Sequence, residues 1–232
     1  MSAIAIEGTY NARWATLSPG ATPWLARAAS LDTVGAAGGA RLDDLGIGLV
    51  LDLREQGERA EPLHGIAIAH VPLYRLPAGP PQSGSIEQVY DFLLTERARQ
   101  LTEAVAVIAD SPTPVLVHCT AGKDRTGLVV ALALLAAGHD EADVVADYTM
   151  SAGVVRAQRR EIAEEALGAL DLDAASHAAA LRLHLDSPAE AMEHALHTVS
   201  SLGGAEAFLI HNGLTAERLQ SLRRTLGRPL DD

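Results

Sequence analysis

The apolar run Val115-Leu116-Val117 stops at His118-Cys119, crosses Thr120 to Thr126, and resumes as Leu128-Val129-Val130. The first run is short and follows Pro112 and Pro114, so it reads as a buried strand over 112–120. The second, "TGLVVALALLAAGH" over 126–139, is long enough for a buried helix, with Gly138 as its stop. A strand, a tight glycine-containing loop and a helix in that order put the loop at the carboxyl end of a sheet, facing a helix N-terminus. Backbone N–H groups and the positive end of the helix dipole gather there, which suits an anion. Cys119 is the single cysteine of the chain. A thiol held in such a field ionises more readily, and a phosphate-sized oxyanion fits the same nest. Arg125 closes the loop with a planar fork able to grip two phosphoryl oxygens. Gly122 and Gly127 supply room for a close cradle, and the Thr126 hydroxyl can donate to the sulfur.

Elsewhere, "LGIGLVLDLRE" (45–55) and "GIAIAHVPL" (65–73) read as further strands, and 85–110 as one long amphipathic helix carrying Val89, Phe92, Leu93, Leu101, Val105 and Ile108. Helical patterns fill 140–170. Ser187-Pro188 opens another helix, and Thr215 caps the one over 215–226, with Glu217 in its first turn. Residues 76–84, "LPAGPPQSG", form the most loop-like stretch. Strands alternating with helices predict an α/β fold: a mainly parallel central sheet flanked by helices, with a helical C-terminal part. No linker interrupts the pattern, so a single domain is expected over 1–232.

The net charge of −12 argues against nucleic acid or an acidic membrane as partner. No apolar run is long enough for an integral membrane segment. One cysteine and no recognisable signal peptide point to the cytoplasm, with export by a route that needs no such signal left open. Aromatic residues make up only 3% of the chain, so the core must be mostly Ala, Leu, Val and Ile.

His118-Cys119-x5-Arg125-Thr126 matches the Cys-x5-Arg signature of the protein tyrosine phosphatase superfamily. The fuller "HCTAGKDRTG" resembles the bacterial tyrosine/lipid phosphatase group of the secreted mycobacterial type. "GLVLDLREQGE" (48–58), "GAEAFLIHNGLTAERLQSLRRTL" (204–226) and the Asn11-x-Arg13 pattern are similar to stretches of the same group. "WLARAASLD" (24–32) matches loosely, with Ala28 where serine is usual. The resemblance implies a tyrosine phosphatase-like fold and a cysteine-dependent phosphatase. Its substrate would be a phosphorylated protein, through phosphotyrosine or phosphoserine/threonine, or else a phosphoinositide. It implies Cys119 as nucleophile, Arg125 as transition-state ligand, and Thr120, Ala121, Gly122, Lys123, Asp124, Arg125 and Thr126 as the phosphate cradle. No metal or other cofactor is required.

The general acid is the open question, because the Trp-Pro dipeptide that often precedes it in tyrosine phosphatases does not occur. The resemblance favours Asp124, although pairing with Lys123 and Arg125 is its ordinary alternative. Asp52, at a strand end, is the second candidate, with a salt bridge to Arg54 as its alternative; Asp91 is a third. Lys123 could reach a second anionic group, or be a surface lysine. His118 is expected to orient the loop by hydrogen bonding. His194 and His197 share a helix face without a further ligand, so no metal site is expected there. Two competing functions remain: a rhodanese-like sulfurtransferase, which also cradles an anion with a cysteine loop, and a non-catalytic phospho-binding module.

Overall fold

The computed structural model describes residues 3–15, 22–62, 64–76, 81 and 83–227. Its five-stranded sheet has the order β1-β2-β5-β3-β4. The strands are β1 (Arg13–Trp14), β2 (Leu25–Ala28), β3 (Leu49–Asp52), β4 (Ala67–His70) and β5 (Val115–His118). β1 is antiparallel to β2, and the other pairings are parallel, with Ala28 and Asp52 both opposite His118. The three central strands therefore end level with one another. Side chains alternate across the sheet as strand geometry requires. Ala26, Val50 and Leu116 pack on one face with α1 (Ala36–Asp44), whose Leu42 is buried there. Leu25, Leu51, Val115 and Val117 face the larger helical layer.

That layer holds α2 (Ile86–Glu96), α3 (Ala98–Asp110), α4 (Asp124–Ala136), α5 (Glu141–Thr149), α8 (Ala189–Ser201), α9 (Gly204–His211) and α10 (Ala216–Leu226). α6 (Ser151–Gly168) and α7 (Ala174–Leu185) pair with each other beside it. α4 lies at the centre, packed by α3, α5, α9, α10 and β5. This explains why its sequence is apolar on every side rather than along one stripe. Gly138 follows its last turn with φ +96°, the left-handed stop that the sequence predicts. Thr215 accepts a hydrogen bond from the Arg218 amide as the cap of α10.

Three expectations are corrected. The long helix over 85–110 is two helices that part at Arg97, whose backbone leaves the helical region at φ −128° and ψ 19°. Its guanidinium donates to the Tyr74 carbonyl at 2.6 Å and stacks over Phe92, which holds the break. The helix after the loop starts at Asp124, so Asp124 and Arg125 belong to its first turn. β2, with Arg27 in its middle, was not expected as a strand. The loop reading of 76–84 falls mostly outside the described residues, at 77–80 and 82. Among the described residues, no helix is long and apolar enough to cross a membrane.

Candidate active site

The loop between β5 and α4 is held from behind. Asn11 Nδ2 donates to the carbonyls of Ala121 and Gly122 at 3.1 and 3.0 Å. Arg27 Nη2 donates to those of Gly122 and Lys123 at 2.7 and 3.2 Å. Asn11 adopts φ +57°, a conformation its short amide side chain tolerates. Arg13 Nη1 holds the Asn11 Oδ1 at 2.6 Å, and Arg13 Nε pairs with Asp147 Oδ1 at 2.7 Å. The other oxygen of Asp147 takes Arg27. Burial opposes the charge on Asp147, but the two guanidiniums outweigh it and keep its pKa low. Gly122 has φ +65°, and a Cβ there would lie 2.1 Å from the Ala28 carbonyl oxygen. No other residue lets the loop lie this close to β2.

With its carbonyls tied behind, the loop turns toward a cavity of about 210 Å³ lined by Cys119, Thr120, Ala121, Asp124 and Arg125. Glu58, Tyr74, Pro81, Arg159, Leu183 and His184 complete its wall. Cys119 is buried. Burial raises the thiol pKa, but the Arg125 charge and the Thr126 hydroxyl and amide more than compensate, so the net shift is downward. The Thr126 hydroxyl, itself buried beside the sulfur, has no other hydrogen-bond partner among the described residues. His118 Nδ1 lies 3.3 Å from the Cys119 carbonyl oxygen. Burial pushes its pKa down to about 4, so it is a neutral orienting group near pH 7.

Arg125 presents its fork to Glu58: Nη1 to Oε2 at 2.6 Å and Nη2 to Oε1 at 2.7 Å. Glu58 Oε1 also accepts from Thr120 Oγ1 at 2.6 Å. The carboxylate sits on a 3-10 turn, Gln56–Glu58, in which Glu55 and Glu58 cap one another reciprocally. The guanidinium lies 5.0 Å over the Tyr74 ring. Burial raises the Glu58 pKa, and its bonds to Arg125 bring it below the usual carboxylate range.

The candidate carboxylates separate. Asp124 lies in the cavity with Cys119. Asp52 does not: it faces a second cavity of about 420 Å³ shared with Arg54, His70 and His118, which contains neither Cys119 nor Arg125. Arg54 donates to both Asp52 oxygens at 3.0 Å. Despite burial, that pairing holds the carboxyl below its ordinary range, so the salt-bridge alternative for Asp52 prevails. Arg54 is engaged again by Asp32 and supports the turn through the Glu58 carbonyl at 3.0 Å. Asp91 lines neither cavity; it is half exposed and paired with His194 at 2.8 Å.

Lys123 is corrected as well. Its ammonium is buried and lines no part of the cavity, bound to Asp124 Oδ1 at 2.6 Å, the Leu183 carbonyl at 3.0 Å and the Asp186 carbonyl at 2.6 Å. Three acceptors use its three protons, so none reaches a substrate. Glu58, Arg27 and Asp147 were not singled out from sequence. Glu58 had a faint signal in the acidic turn after β3, whereas Asp147 had none. No cluster of three or more His, Cys, Asp or Glu side chains suited to a metal ion occurs among the described residues.

A family model described as the tyrosine phosphatase family matches residues 7–228. A tyrosine-protein phosphatase of Nostoc commune is 33% identical over 142 residues, 56% of this chain and 44% of its own length. The triple specificity protein phosphatase PtpB of Mycobacterium tuberculosis is 41% identical over 78 residues, 34% of this chain and 28% of its own length. The chain thus spans less than half the length of either relative. The solved catalytic core of Siw14 superposes on 74% of this chain and 89% of its own, with a TM-score of 0.42 and 15% identity. On the match over 7–228, the chain belongs to the tyrosine phosphatase family.

Proposed function

We propose that the chain is a single-domain, cysteine-dependent phosphatase that hydrolyses phosphate monoesters through a cysteinyl-phosphate. The observation that carries this reading is the buried Cys119 thiol, shifted toward thiolate by Arg125 and Thr126 inside a loop that opens a helix. The thiolate attacks phosphorus in line. The amides of 120–126 and the Arg125 guanidinium stabilise the equatorial oxygens, and Asp124 protonates the leaving oxygen and later accepts a proton from water. Glu58 orients the Arg125 guanidinium at the wall of the cavity, and a bound phosphate would take N–H groups of that fork from it.

Phosphotyrosine is the substrate class favoured, because Tyr74, Pro81 and Leu183 give the cavity an apolar wall for a ring. The name of the mycobacterial relative supports phosphoserine and phosphothreonine as well. A phosphoinositide is the second reading, favoured by Arg159 at the rim rather than by Lys123. The reaction needs Cys119 as a thiol, which fits the cytoplasm or another reducing compartment.

The test is hydrolysis of p-nitrophenyl phosphate by wild type and Cys119→Ser, with acid-quench trapping of the phosphoenzyme. Turnover and a trapped thiophosphate are expected in wild type alone. Iodoacetamide should alkylate Cys119 at a lower pH than a free thiol, and Arg125→Ala should raise that pH. No hydrolysis, together with sulfur transfer from thiosulfate to cyanide, would establish the rhodanese-like alternative. Binding of phosphate without turnover would establish the phospho-binding module.

A further inference from the structure

Two side chains that line no part of the cavity converge on a single oxygen of Asp124. The Lys123 ammonium lies 2.6 Å from Oδ1, and the Tyr90 hydroxyl lies 3.0 Å from the same atom. Tyr90 is also 2.7 Å from the Tyr148 hydroxyl. A phenol has one proton, and a carboxylate is a stronger acceptor than another phenol. Tyr90 therefore donates to Asp124 and receives its second bond from Tyr148. Both phenols are fully buried, their rings meeting edge to face at 6.3 Å. Burial, first of all, raises the pKa of both well above the ordinary value, so both remain donors throughout the working pH range. Lys123 is fixed from the opposite side by the last turn of α7 through the Leu183 and Asp186 carbonyls. The other oxygen, Oδ2, has no hydrogen-bond partner among the described residues, and Asp124 lines the cavity that contains Cys119.

We propose that Tyr90, backed by Tyr148, and Lys123 are positioning residues that commit Oδ1 of Asp124 to the protein and leave Oδ2 to carry and transfer the proton. The proposal rests on Asp124 as the general acid. With two donors on Oδ1, its lone pairs are filled, and a proton on the carboxyl has only Oδ2 to occupy. In the first step the Sγ–P bond forms, the bond from phosphorus to the leaving oxygen breaks, and the Oδ2 proton passes to that oxygen. In the second step a water oxygen bonds phosphorus, the Sγ–P bond breaks with its electron pair returning to sulfur, and the water proton passes to Oδ2. A carboxyl pinned on one oxygen from α2 and from α7 cannot swap its two oxygens, so its proton always faces the cavity.

The test compares phenyl phosphate, whose leaving group needs a proton, with 2,4-dinitrophenyl phosphate, whose leaving group does not. Asp124→Asn should lose 10²–10⁴-fold in kcat on phenyl phosphate and little on the dinitrophenyl ester, in the range of a lost general acid. Tyr90→Phe keeps the ring and removes one hydrogen bond. It should lose about tenfold in kcat on phenyl phosphate alone, with KM unchanged on both esters. Tyr148→Phe, one bond further away, should lose about threefold with the same selectivity, and Lys123→Met should match or exceed Tyr90→Phe. If Tyr90→Phe and Tyr148→Phe slow both esters equally, or neither, while Asp124→Asn keeps its selective loss, the positioning role is overturned and the acid stands. If Asp124→Asn shows no selective loss, the acid reading falls first and the positioning role with it.

Discussion

The loop at 119–125 has two sides, and both are built on arginine. Behind it, Arg13 and Arg27 share Asp147, all three almost wholly buried, and further N–H groups of theirs bind carbonyls and Ser151, while Arg27 Nε has no partner among the described residues. In front, Arg125 is paired with Glu58, whose side chain is 17% exposed at the wall of the cavity. The back has no room to exchange partners, so its charges act as structure. The front opens on a cavity of about 210 Å³, so its ion pair can exchange partners. One residue type serves both purposes, and the difference lies in whether the counter-charge is sealed in.

The largest expected effect breaks the back. Asp147→Asn leaves two buried guanidiniums short of a counter-ion, at a cost of roughly 3–5 kcal/mol. In a domain of this size that lowers Tm by on the order of ten degrees, read by calorimetry, while the folded fraction keeps most of its turnover. Arg125→Lys breaks the front: a bidentate fork becomes a point charge, and kcat should fall about 10²–10³-fold with Tm nearly unchanged. Equal losses of Tm in both variants would erase the distinction between the two sides.

His118 sits between the sides and answers to pH. In the unfolded chain it binds a proton near pH 6.5, whereas burial in the folded chain delays protonation to about 4. Its full stability is therefore present above pH 6.5 and is lost as pH falls toward 4. The loss is about 3 kcal/mol by linkage. Denaturant melts of wild type and His118→Asn across that window should differ in slope, the variant being flatter. The smallest effect sharpens the front. Glu58→Gln should leave Tm within a few degrees and lower kcat/KM about tenfold, as expected for one charge-assisted pair that orients rather than reacts.

What the sequence displays and what it hides follow the same division. Val115–Val117 and Leu128–Val130 announce a strand and a helix because a run of that length has few other places to go. β2 stays hidden because "LARA" puts a charge in the middle of four wholly buried residues, and its need for Arg27 is visible only beside Asp147, 120 residues away. The break at Arg97 has no glycine or proline to mark it; a tertiary bond to Tyr74 makes it. Lys123 misleads for a related reason. A lysine in a glycine loop ordinarily points to water or ligand, and the acceptors that bury this one come from the end of α7. Cys119, Arg125 and Asp124 stand out in the sequence because they lie within ten residues of one another, and all three line one cavity. Glu58, which completes the cavity, is separated from Arg125 by 67 positions.

α4 carries a consequence for how the fold would fail. It is wrapped on all sides, and the first turn of that helix holds Asp124, Arg125 and Thr126. A helix so enclosed has no route to open by itself, so its amides should exchange with deuterium only when the whole domain unfolds. α6, with exposed Val154 and Ile162, should exchange far sooner. On heating, the phosphate cradle should then survive until the global transition, with inactivation and melting falling on one curve.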